Sequence, residues 1–396
     1  MRVLQVNAVY KTKSTGRIAM EMHEYFLTHG IDSYVAYATE NTAEKNDKRI
    51  IRVGNLIDHK IHAVLYRIDK MQGCHSTVAT KIFLKKIKNL APDIVLTHNL
   101  HSNYLNVPLF LKGLNQLGIK VVMDLHDCWL FTGGCYHYTA TGCNKWLYGC
   151  QDCGSLGKAA EKKFKLNRDT YDKVKPTIVA TSKWIESEVK KSLISDSCRI
   201  EMIYDWIDTE TFYPRNENKI RKKYGIDDSV MILGVCTGWA LNKGQQEMIQ
   251  VANELPDAKI VLVGNQAEKT EYPDNVILIP FTDSKEELAE LYSAADVFFN
   301  PSKQETFGLV SGEALACGTP LIVYNTTACP EFVTENTGIV IENPEQSVDA
   351  IKQQLEKNKI LGRDVVRENC RNFVLDNFSM DKNIDKYIEL FKSILE

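Results

Sequence analysis

Short apolar runs alternate with helical segments along almost the whole chain, and this alternation constrains the fold more than any other feature. A first series of strand candidates covers residues 3–7, 33–38, 94–97, 121–125 and 177–181, and a second covers residues 231–236, 259–263, 276–279, 297–299, 321–324 and 339–341. Each run is short and rich in β-branched or apolar residues, as buried parallel strands are. Two such series predict two doubly wound α/β domains.

The join between the two series sets the predicted domain boundaries. We place one Rossmann-like domain at residues 1–205 and a second at residues 206–375. Residues 376–396 form a predicted helix that no strand follows, and we expect it to return to the first domain. Ligands of such sheets bind beyond the carboxyl ends of the strands, so site residues are sought in the loops that follow strands.

Composition narrows the class of protein. The 396 residues are 44% hydrophobic and 25% charged, with 48 basic and 51 acidic residues and a net charge of -3. Nucleic-acid binding usually needs a strongly basic domain, so we expect no nucleic-acid partner. No apolar run approaches the ~20 residues of a membrane span, and the first residues read as a strand rather than as a signal peptide. We therefore expect a cytoplasmic protein.

The sharpest local signal is a pair of glutamates eight residues apart, in the stretch Glu305-Thr306-Phe307-Gly308-Leu309-Val310-Ser311-Gly312-Glu313. A strand precedes this stretch, and a predicted helix starts within it at residue 311. Free backbone N–H groups at a helix N-terminus favour a phosphate, which assigns Phe307, Gly308 and Leu309 to phosphate binding. Glu313 could then bind ribose hydroxyls, and Glu305 could bind sugar hydroxyls. The competing interpretation is two solvated glutamates.

A second signal follows the first strand of the second domain, in Thr237-Gly238-Trp239-Ala240-Leu241-Asn242-Lys243-Gly244. It opens a predicted helix at residues 245–254. A lysine at this place supplies a point charge against a diphosphate and would stabilise a leaving nucleotide. We assign Gly238 and Lys243 to donor binding; the alternative for Lys243 is an ordinary loop lysine.

Two loops of the first domain carry further candidates. The segment Lys13-Ser14-Thr15-Gly16-Arg17 reads as a turn between the first strand and a helix at residues 18–29, and its small residues would let a ligand approach. Gly16 and Arg17 are therefore candidate phosphate-binding residues, although an ordinary strand–helix turn has the same composition. His126 ends the strand at residues 121–125, where it is either a site residue or a structural histidine. The motif His98-Asn99-Leu100-His101 ends another strand and is assigned to the acceptor side.

Five of the eleven cysteines fall between Cys128 and Cys153. The two-residue spacing of Cys150 and Cys153 suits zinc, and Cys135 and Cys143 could complete a closed, structural four-thiolate site. A reducing cytosol argues against a disulfide framework. Structural zinc, free buried thiols and a disulfide or redox role all remain open.

These motifs together resemble the retaining glycosyltransferases of family 4, which have the GT-B fold, two Rossmann-like domains facing across a cleft. The stretch from Glu305 to Glu313 is similar to the family's Glu-x7-Glu motif. Leu125-His126-Asp127-Cys128-Trp129 and Trp206-Ile207-Asp208, with the motifs above, narrow the resemblance to bacterial enzymes that build colanic acid, capsule or O-antigen polysaccharide. The family commonly carries an arginine a few residues before the lysine, where this chain has Gly238, Trp239 and Ala240.

The resemblance implies an activity and a set of partners. It implies transfer of a sugar, with retention, from a UDP- or GDP-sugar to a glycan or lipid-linked oligosaccharide acceptor, with no catalytic cofactor or metal. The first domain would hold the acceptor and the second the nucleotide sugar. Glu305, His126 and Lys243 would act on the reacting groups, with His126 beside the transferred sugar.

A lipid-linked acceptor would place the protein at the inner membrane. Residues 81–88 form a basic, amphipathic helical stretch that could lie on anionic lipid, or could pack its apolar side inward. Two other functions fit parts of the pattern: an epimerase or phosphorylase of the same fold, and a non-catalytic protein that binds sugar nucleotides. A phosphorylase would be expected to carry a pyridoxal-phosphate lysine motif, which the sequence lacks.

Overall fold

The computed structural model describes residues 1–39, 47–266 and 270–396. The chain forms two compact units. One unit contains Met1–Ile203 together with Ile384–Glu396, and the other contains Tyr204–Asn383.

The strands of the first unit are β1 (Arg2–Val6), β2 (Asp32–Tyr37), β3 (Ile50–Arg52), β4 (Ile94–Thr97), β5 (Lys120–Leu125), β6 (Thr177–Ala180) and β7 (Arg199–Met202). Within the described residues they form one seven-stranded parallel sheet, in the order β3-β2-β1-β4-β5-β6-β7. Strands β4 and β6 are buried at every residue, as expected of parallel strands covered on both faces.

The helices of the first unit follow its strands. They are α1 (Lys13–Thr28), α2 (Leu56–Asp69), α3 (Thr77–Leu90), α4 (Val107–Gln116), α5 (Lys158–Val174) and α6 (Lys183–Lys191). Local sequence fixes several of their starts: the Asn106 side chain accepts from the Leu109 amide, and the Ser182 hydroxyl accepts from the Ile185 amide.

The second unit repeats this architecture. Its strands are β8 (Met231–Gly238), β9 (Lys259–Asn265), β10 (Val276–Ile279), β11 (Val297–Asn300), β12 (Leu321–Tyr324) and β13 (Gly338–Ile341). Its helices are α7 (Asn218–Lys223), α8 (Gln245–Glu254), α9 (Lys285–Ala294), α10 (Leu309–Ala316), α11 (Ser347–Leu361) and α12 (Arg363–Asn377). In the described part of this unit the parallel sheet has six strands, in the order β10-β9-β8-β11-β12-β13.

Two parallel-sheet α/β units confirm the predicted fold class. The sequence interpretation missed β3 and β7, which have polar or partly exposed residues and lie at the two edges of their sheet. It also wrongly placed a turn at residues 13–16, because α1 already begins at Lys13. Strand β8 runs two residues beyond the predicted end, to Gly238.

The last helix, α13 (Met380–Leu395), contains residues of both units. Its part within the first unit is anchored by Phe391, which is fully buried and packs edge-on against Phe26 with ring centroids 5.9 Å apart. Two polar contacts support this packing. The Tyr25 hydroxyl donates to Asp385 over 2.9 Å, and Arg199 donates to the Ser393 hydroxyl over 3.1 Å.

Replacing Phe391 by alanine should lower the free energy of unfolding of the first unit by about 3–5 kcal/mol, because the change removes a buried ring and leaves a cavity. Urea unfolding followed by circular dichroism measures the loss. Lys392→Ala, at the exposed neighbouring position, is the control and should stay within about 0.5 kcal/mol of wild type. Equal behaviour of the two variants would contradict the packing described for α13.

Candidate functional site

The second unit gathers charged residues at the carboxyl ends of two neighbouring strands. Strands β8 and β11 are adjacent and parallel, so the loops that follow them leave the same edge of the sheet. The two loops are joined by a hydrogen bond of 3.0 Å from the Lys303 amide to the Asn242 carbonyl. Gly244 has a φ of +77°, and a Cβ there would overlap Pro301, so only glycine lets the loops approach this closely.

This approach brings Lys243 and Glu305 into direct contact. The Lys243 ammonium lies 2.6 Å from Glu305 Oε1 and 3.3 Å from the Ser302 hydroxyl. The two side chains are only partly exposed, at 28% and 18%. The pair therefore presents one cation and one carboxylate side by side at the edge of the sheet.

Gly308 begins helix α10 with a φ of +105°, a conformation that side-chain-bearing residues rarely adopt. The preceding Phe307 ring is buried and packs against Tyr204, Phe332 and Phe378. The ring of Phe307 thus anchors the turn. The backbone amides of Phe307, Gly308 and Leu309 remain the groups of this stretch that suit an anion.

Glu313 lies about one turn into α10 and is half-buried. Its Oε2 accepts a hydrogen bond of 3.2 Å from the hydroxyl of Tyr292, which is completely buried. Burial raises the pKa of Tyr292 well above its ordinary value, so this hydroxyl stays protonated and donates. Tyr292 is a positioning residue for Glu313 that the sequence analysis did not identify.

The positions where the resembled family carries an arginine have other structural roles here. Trp239 is buried in the core of the second unit, and its indole N–H donates to the Val263 carbonyl over 3.2 Å. Gly238 ends β8, where a Cβ would meet the Asn265 carbonyl oxygen at an ordinary contact distance of 4.0 Å. Neither residue supplies a second cation beside Lys243.

In the first unit, Gly16 has a packing role within α1. A Cβ at Gly16 would lie 3.1 Å from Val9 Cγ2, and the Gly16 carbonyl accepts from the Lys11 amide over 3.0 Å. Arg17 forms an ion pair of 3.1 Å with Glu21, one turn along the same helix, and both side chains are largely buried. Packing therefore accounts for both residues, while their predicted contact with a donor phosphate stays a prediction.

His126 belongs to a buried polar cluster at the carboxyl ends of β4 and β5. His126 Nε2 lies 3.1 Å from His98 Nδ1, and Asp124 Oδ2 lies 3.2 Å from each of these two nitrogens. His98 Nε2 contacts the Gln5 side-chain oxygen at 3.0 Å, and the Gln5 amide donates to the Ala19 carbonyl. Gln5 thereby fixes a proton on His98 Nε2, so the other edge of His98 faces Asp124 and His126.

Asp124 is the charged centre of this cluster and was missed in the sequence analysis. Burial alone would raise the pKa of its carboxyl, but the neighbouring His126 and His98 outweigh burial and hold that pKa below its ordinary value. The missed signal was an acidic residue inside a strand whose neighbours are apolar. Among the described histidine, cysteine, aspartate and glutamate residues, His98, Asp124 and His126 form the one group of three whose potential metal-ligand atoms all lie within 4.8 Å of one another.

A second pair lies beside this cluster. His101 Nε2 contacts Asp127 Oδ2 at 3.0 Å, and the His101 ring packs edge-on against Tyr136 and Trp129. Lys163 also approaches Trp129, with its ammonium 3.4 Å from a ring centroid, and burial lowers the pKa of Lys163 to about 7. Polar and aromatic side chains of the loops after β4 and β5 and of α5 thus contact one another.

The cysteine-rich loop has free thiols throughout. Burial raises the pKa of Cys150 to about 11, with smaller contributions from Cys135, Cys153 and Cys143. In the described part of the chain, no three of these sulphur atoms come within 4.8 Å of one another. A four-thiolate zinc site at Cys135, Cys143, Cys150 and Cys153 remains a prediction.

Comparison with known proteins adds to this geometry. Residues 216–373, which include Lys243, Glu305, Gly308 and Glu313, match the profile of the family described as Glycosyl transferases group 1. The chain is 28% identical over 216 residues to N-acetyl-alpha-D-glucosaminyl L-malate synthase of Bacillus anthracis, a match that covers 51% of this chain and 56% of that protein. It is 26% identical over 186 residues to the GDP-mannose-dependent alpha-(1-6)-phosphatidylinositol dimannoside mannosyltransferase of Mycobacterium tuberculosis, a match that covers 44% of this chain and 48% of that protein. The chain thus spans about half the length of these relatives.

Solved structures share the fold over nearly the whole chain. Sucrose-phosphate synthase from Thermosynechococcus elongatus superposes with a TM-score of 0.71 at 18% identity, covering 99% of this chain and 98% of that chain. HepE of Anabaena in complex with UDP and glucose gives a TM-score of 0.71 at 13% identity, covering 99% of this chain and 100% of that chain. The two parallel-sheet units therefore have the GT-B fold.

Replacing Asp124 by asparagine should lower the free energy of unfolding by about 3–5 kcal/mol at pH 7, because it removes a buried partner of two histidines. The pKa of Asp124 is lower in the folded state than in the unfolded state, where it is near 4. The charged carboxylate therefore stabilises the folded state above about pH 4, and this stabilisation is lost as the pH falls through the folded-state pKa. The difference between wild type and variant should therefore persist from about pH 7 to 5 and shrink below about pH 4. Urea unfolding at several pH values measures it.

The exposed Asp169 provides the control for this experiment. Asp169→Asn should change the unfolding free energy by no more than about 0.5 kcal/mol. A loss in the Asp124 variant that does not depend on pH would show that the carboxylate charge is irrelevant and that only packing was disturbed.

Proposed function

We propose that the protein is a hexosyltransferase that moves a sugar from a nucleoside diphosphate sugar to a glycan acceptor. The observation that carries the proposal is the Lys243–Glu305 ion pair beside the Gly308 start of α10, within a segment that matches a glycosyltransferase family. One cation and a helix N-terminus suit a diphosphate, and a neighbouring carboxylate suits sugar hydroxyls.

The proposed roles follow from the chemistry of each group. The donor diphosphate takes the Lys243 ammonium and the amides at the start of α10. Once the Lys243 ammonium contacts the diphosphate and no longer Glu305, the Glu305 carboxylate can accept hydrogen bonds from the transferred sugar. Glu313, oriented by Tyr292, binds the ribose hydroxyls. In the first unit, Gly16 and Arg17 approach the diphosphate and His126 contacts the sugar.

The proposed reaction exchanges one bond at the sugar's anomeric carbon. The bond from that carbon to the diphosphate oxygen breaks, and the nucleoside diphosphate leaves with the electron pair. The acceptor hydroxyl oxygen forms the new bond, and its proton passes to an oxygen of the leaving diphosphate. The sugar passes through an oxocarbenium-like state, while Lys243 stabilises the charge that develops on the leaving group.

Finer features of the proposal rest on the resemblance to family 4. They are retention of configuration, no cofactor or catalytic metal, and a UDP- or GDP-sugar donor. A cytoplasmic role in bacterial surface polysaccharide synthesis with a lipid-linked acceptor, as in colanic acid, capsule or O-antigen assembly, completes the proposal. Two similar proteins support parts of it: HepE was solved with UDP and glucose, and the mycobacterial relative is a phosphatidylinositol dimannoside mannosyltransferase.

A donor screen that measures nucleoside diphosphate release from UDP- and GDP-sugars, with and without glycan acceptors, tests this function. Lys243→Ala and Glu305→Gln should each lower kcat/KM by about 10²- to 10³-fold, because each removes a group that acts in the transition state. Lys352→Ala, an exposed lysine on α11, should retain full activity. Turnover that needs no acceptor would favour an epimerase, and nucleotide binding without turnover would favour a non-catalytic protein.

A further inference from the structure

Helix α2 exposes apolar side chains and buries polar ones, which is the reverse of an ordinary surface helix. Its buried side chains are His59 and His62. Its large apolar side chains face solvent, including Ile57 at 69% exposure and Ile68 at 75%. A surface helix of a globular protein normally buries its apolar stripe against the core, so the apolar face of α2 requires another explanation.

The exposed apolar residues of α2 form one continuous stripe. Ile57, Ile61, Val64, Leu65 and Ile68 recur at helical spacing and are all exposed. Residues three or four apart lie on the same side of a helix. The two buried histidines are three residues apart and lie on the opposite side of the helix. The apolar side of α2 therefore faces solvent, and its histidine side faces the protein.

Helix α3 follows α2 in the chain and contacts it at its start. The side chain of His62 on α2 contacts the hydroxyl of Ser76, the residue that precedes α3, at 2.8 Å. Val78 and Ile82 in the first turns of α3 are exposed. We define the docking face by seven exposed apolar residues of the two helices: Ile57, Ile61, Val64, Leu65, Ile68, Val78 and Ile82.

The basic stretch at residues 81–88 divides its side chains between core and solvent. Phe83 and Ile87 are buried in the core of the first unit, so most of the apolar side of this stretch packs inward. Its lysines are exposed: Lys81, Lys85, Lys86 and Lys88. Helix α3 therefore supplies mainly positive charge, and α2 supplies the exposed apolar area.

Positive charge is concentrated around the docking face. Residues 56–90 contain seven lysine and arginine residues and two aspartates, although the whole chain has 48 basic and 51 acidic residues. Helix α3 has no acidic residue. An apolar stripe bordered by basic side chains is typical of helices that lie in the surface of an anionic membrane.

We propose that the docking face inserts into the surface of an anionic phospholipid membrane, with the lysines of α3 contacting lipid headgroups. Charge favours this partner over a second copy of the chain. In a two-fold dimer the same patch meets itself, which would place the two lysine-rich α3 helices against each other. The proposal does not depend on the transfer reaction, and none of the described helices is both long and apolar enough to cross a bilayer.

Co-sedimentation of the full chain with phosphatidylcholine vesicles, with and without phosphatidylglycerol, tests the proposal. Wild type should bind the anionic vesicles, bind the neutral ones more weakly, and dissociate as salt is raised. The double variant Ile61→Asp/Ile68→Asp should weaken binding to anionic vesicles by about tenfold or more, because it removes two inserting side chains. Lys85→Glu/Lys86→Glu should weaken it by about tenfold and reduce the salt dependence.

Two matched controls lie on α11 of the second unit. Ile360 is 75% exposed, as Ile68 is, and Lys352 is also exposed. Ile360→Asp and Lys352→Glu should bind vesicles as wild type does. Because the docking-face side chains are exposed, all variants should keep the wild-type melting temperature, which separates lost docking from misfolding.

Three results would overturn the proposal. The first is that wild type does not bind anionic vesicles. The second is that the docking-face variants bind as tightly as the α11 controls. The third is that sedimentation equilibrium shows a dimer that Ile61→Asp/Ile68→Asp dissociates, which would make the face a protein–protein interface. Each readout is independent of sugar transfer, so this proposal and the proposed enzyme activity can fail separately.

Discussion

A parallel strand covered on both faces has room for polar side chains mainly at its ends, because an unpaired polar group inside the sheet is costly to bury. This constraint determines where chemistry can occur in both units. Strands β8 and β11 are adjacent at the centre of their sheet, and the loops after them carry Lys243 and Glu305. Residues 62 positions apart in the chain thereby form an ion pair of 2.6 Å.

The same constraint explains the cluster in the first unit. Asp124 is a carboxylate inside a buried strand, and it is tolerated because two imidazoles lie 3.2 Å away. The cluster connects β1, β4 and β5 through Gln5, His98 and Asp124. It therefore holds His126 in a defined orientation at the carboxyl edge of the sheet, where a side chain can meet a ligand.

Much of this architecture could be predicted from the sequence, and the rest could not for physical reasons. Central strands such as β4 and β12 were predicted correctly because burial on both faces demands a continuous apolar run. Edge strand β7 was missed because its side chains are partly exposed and lack that pattern. The spacing of apolar residues in α2 shows an amphipathic helix but not which side packs inward, so the exposed stripe became visible only in the structure. The contacts of Tyr292 and Asp124 join residues distant in sequence, so neither residue was identified as part of a site.

The central claim is that the edge of the second unit beside Lys243 and Gly308 binds a nucleoside diphosphate. Calorimetric titration of wild type and Lys243→Ala with UDP and with GDP tests it most directly. We predict that wild type binds one of the two, and that the variant binds it about 10- to 100-fold more weakly, because a hydrogen-bonded charge is lost. Binding of equal strength to both proteins, or no binding of either nucleotide to wild type, would contradict the account.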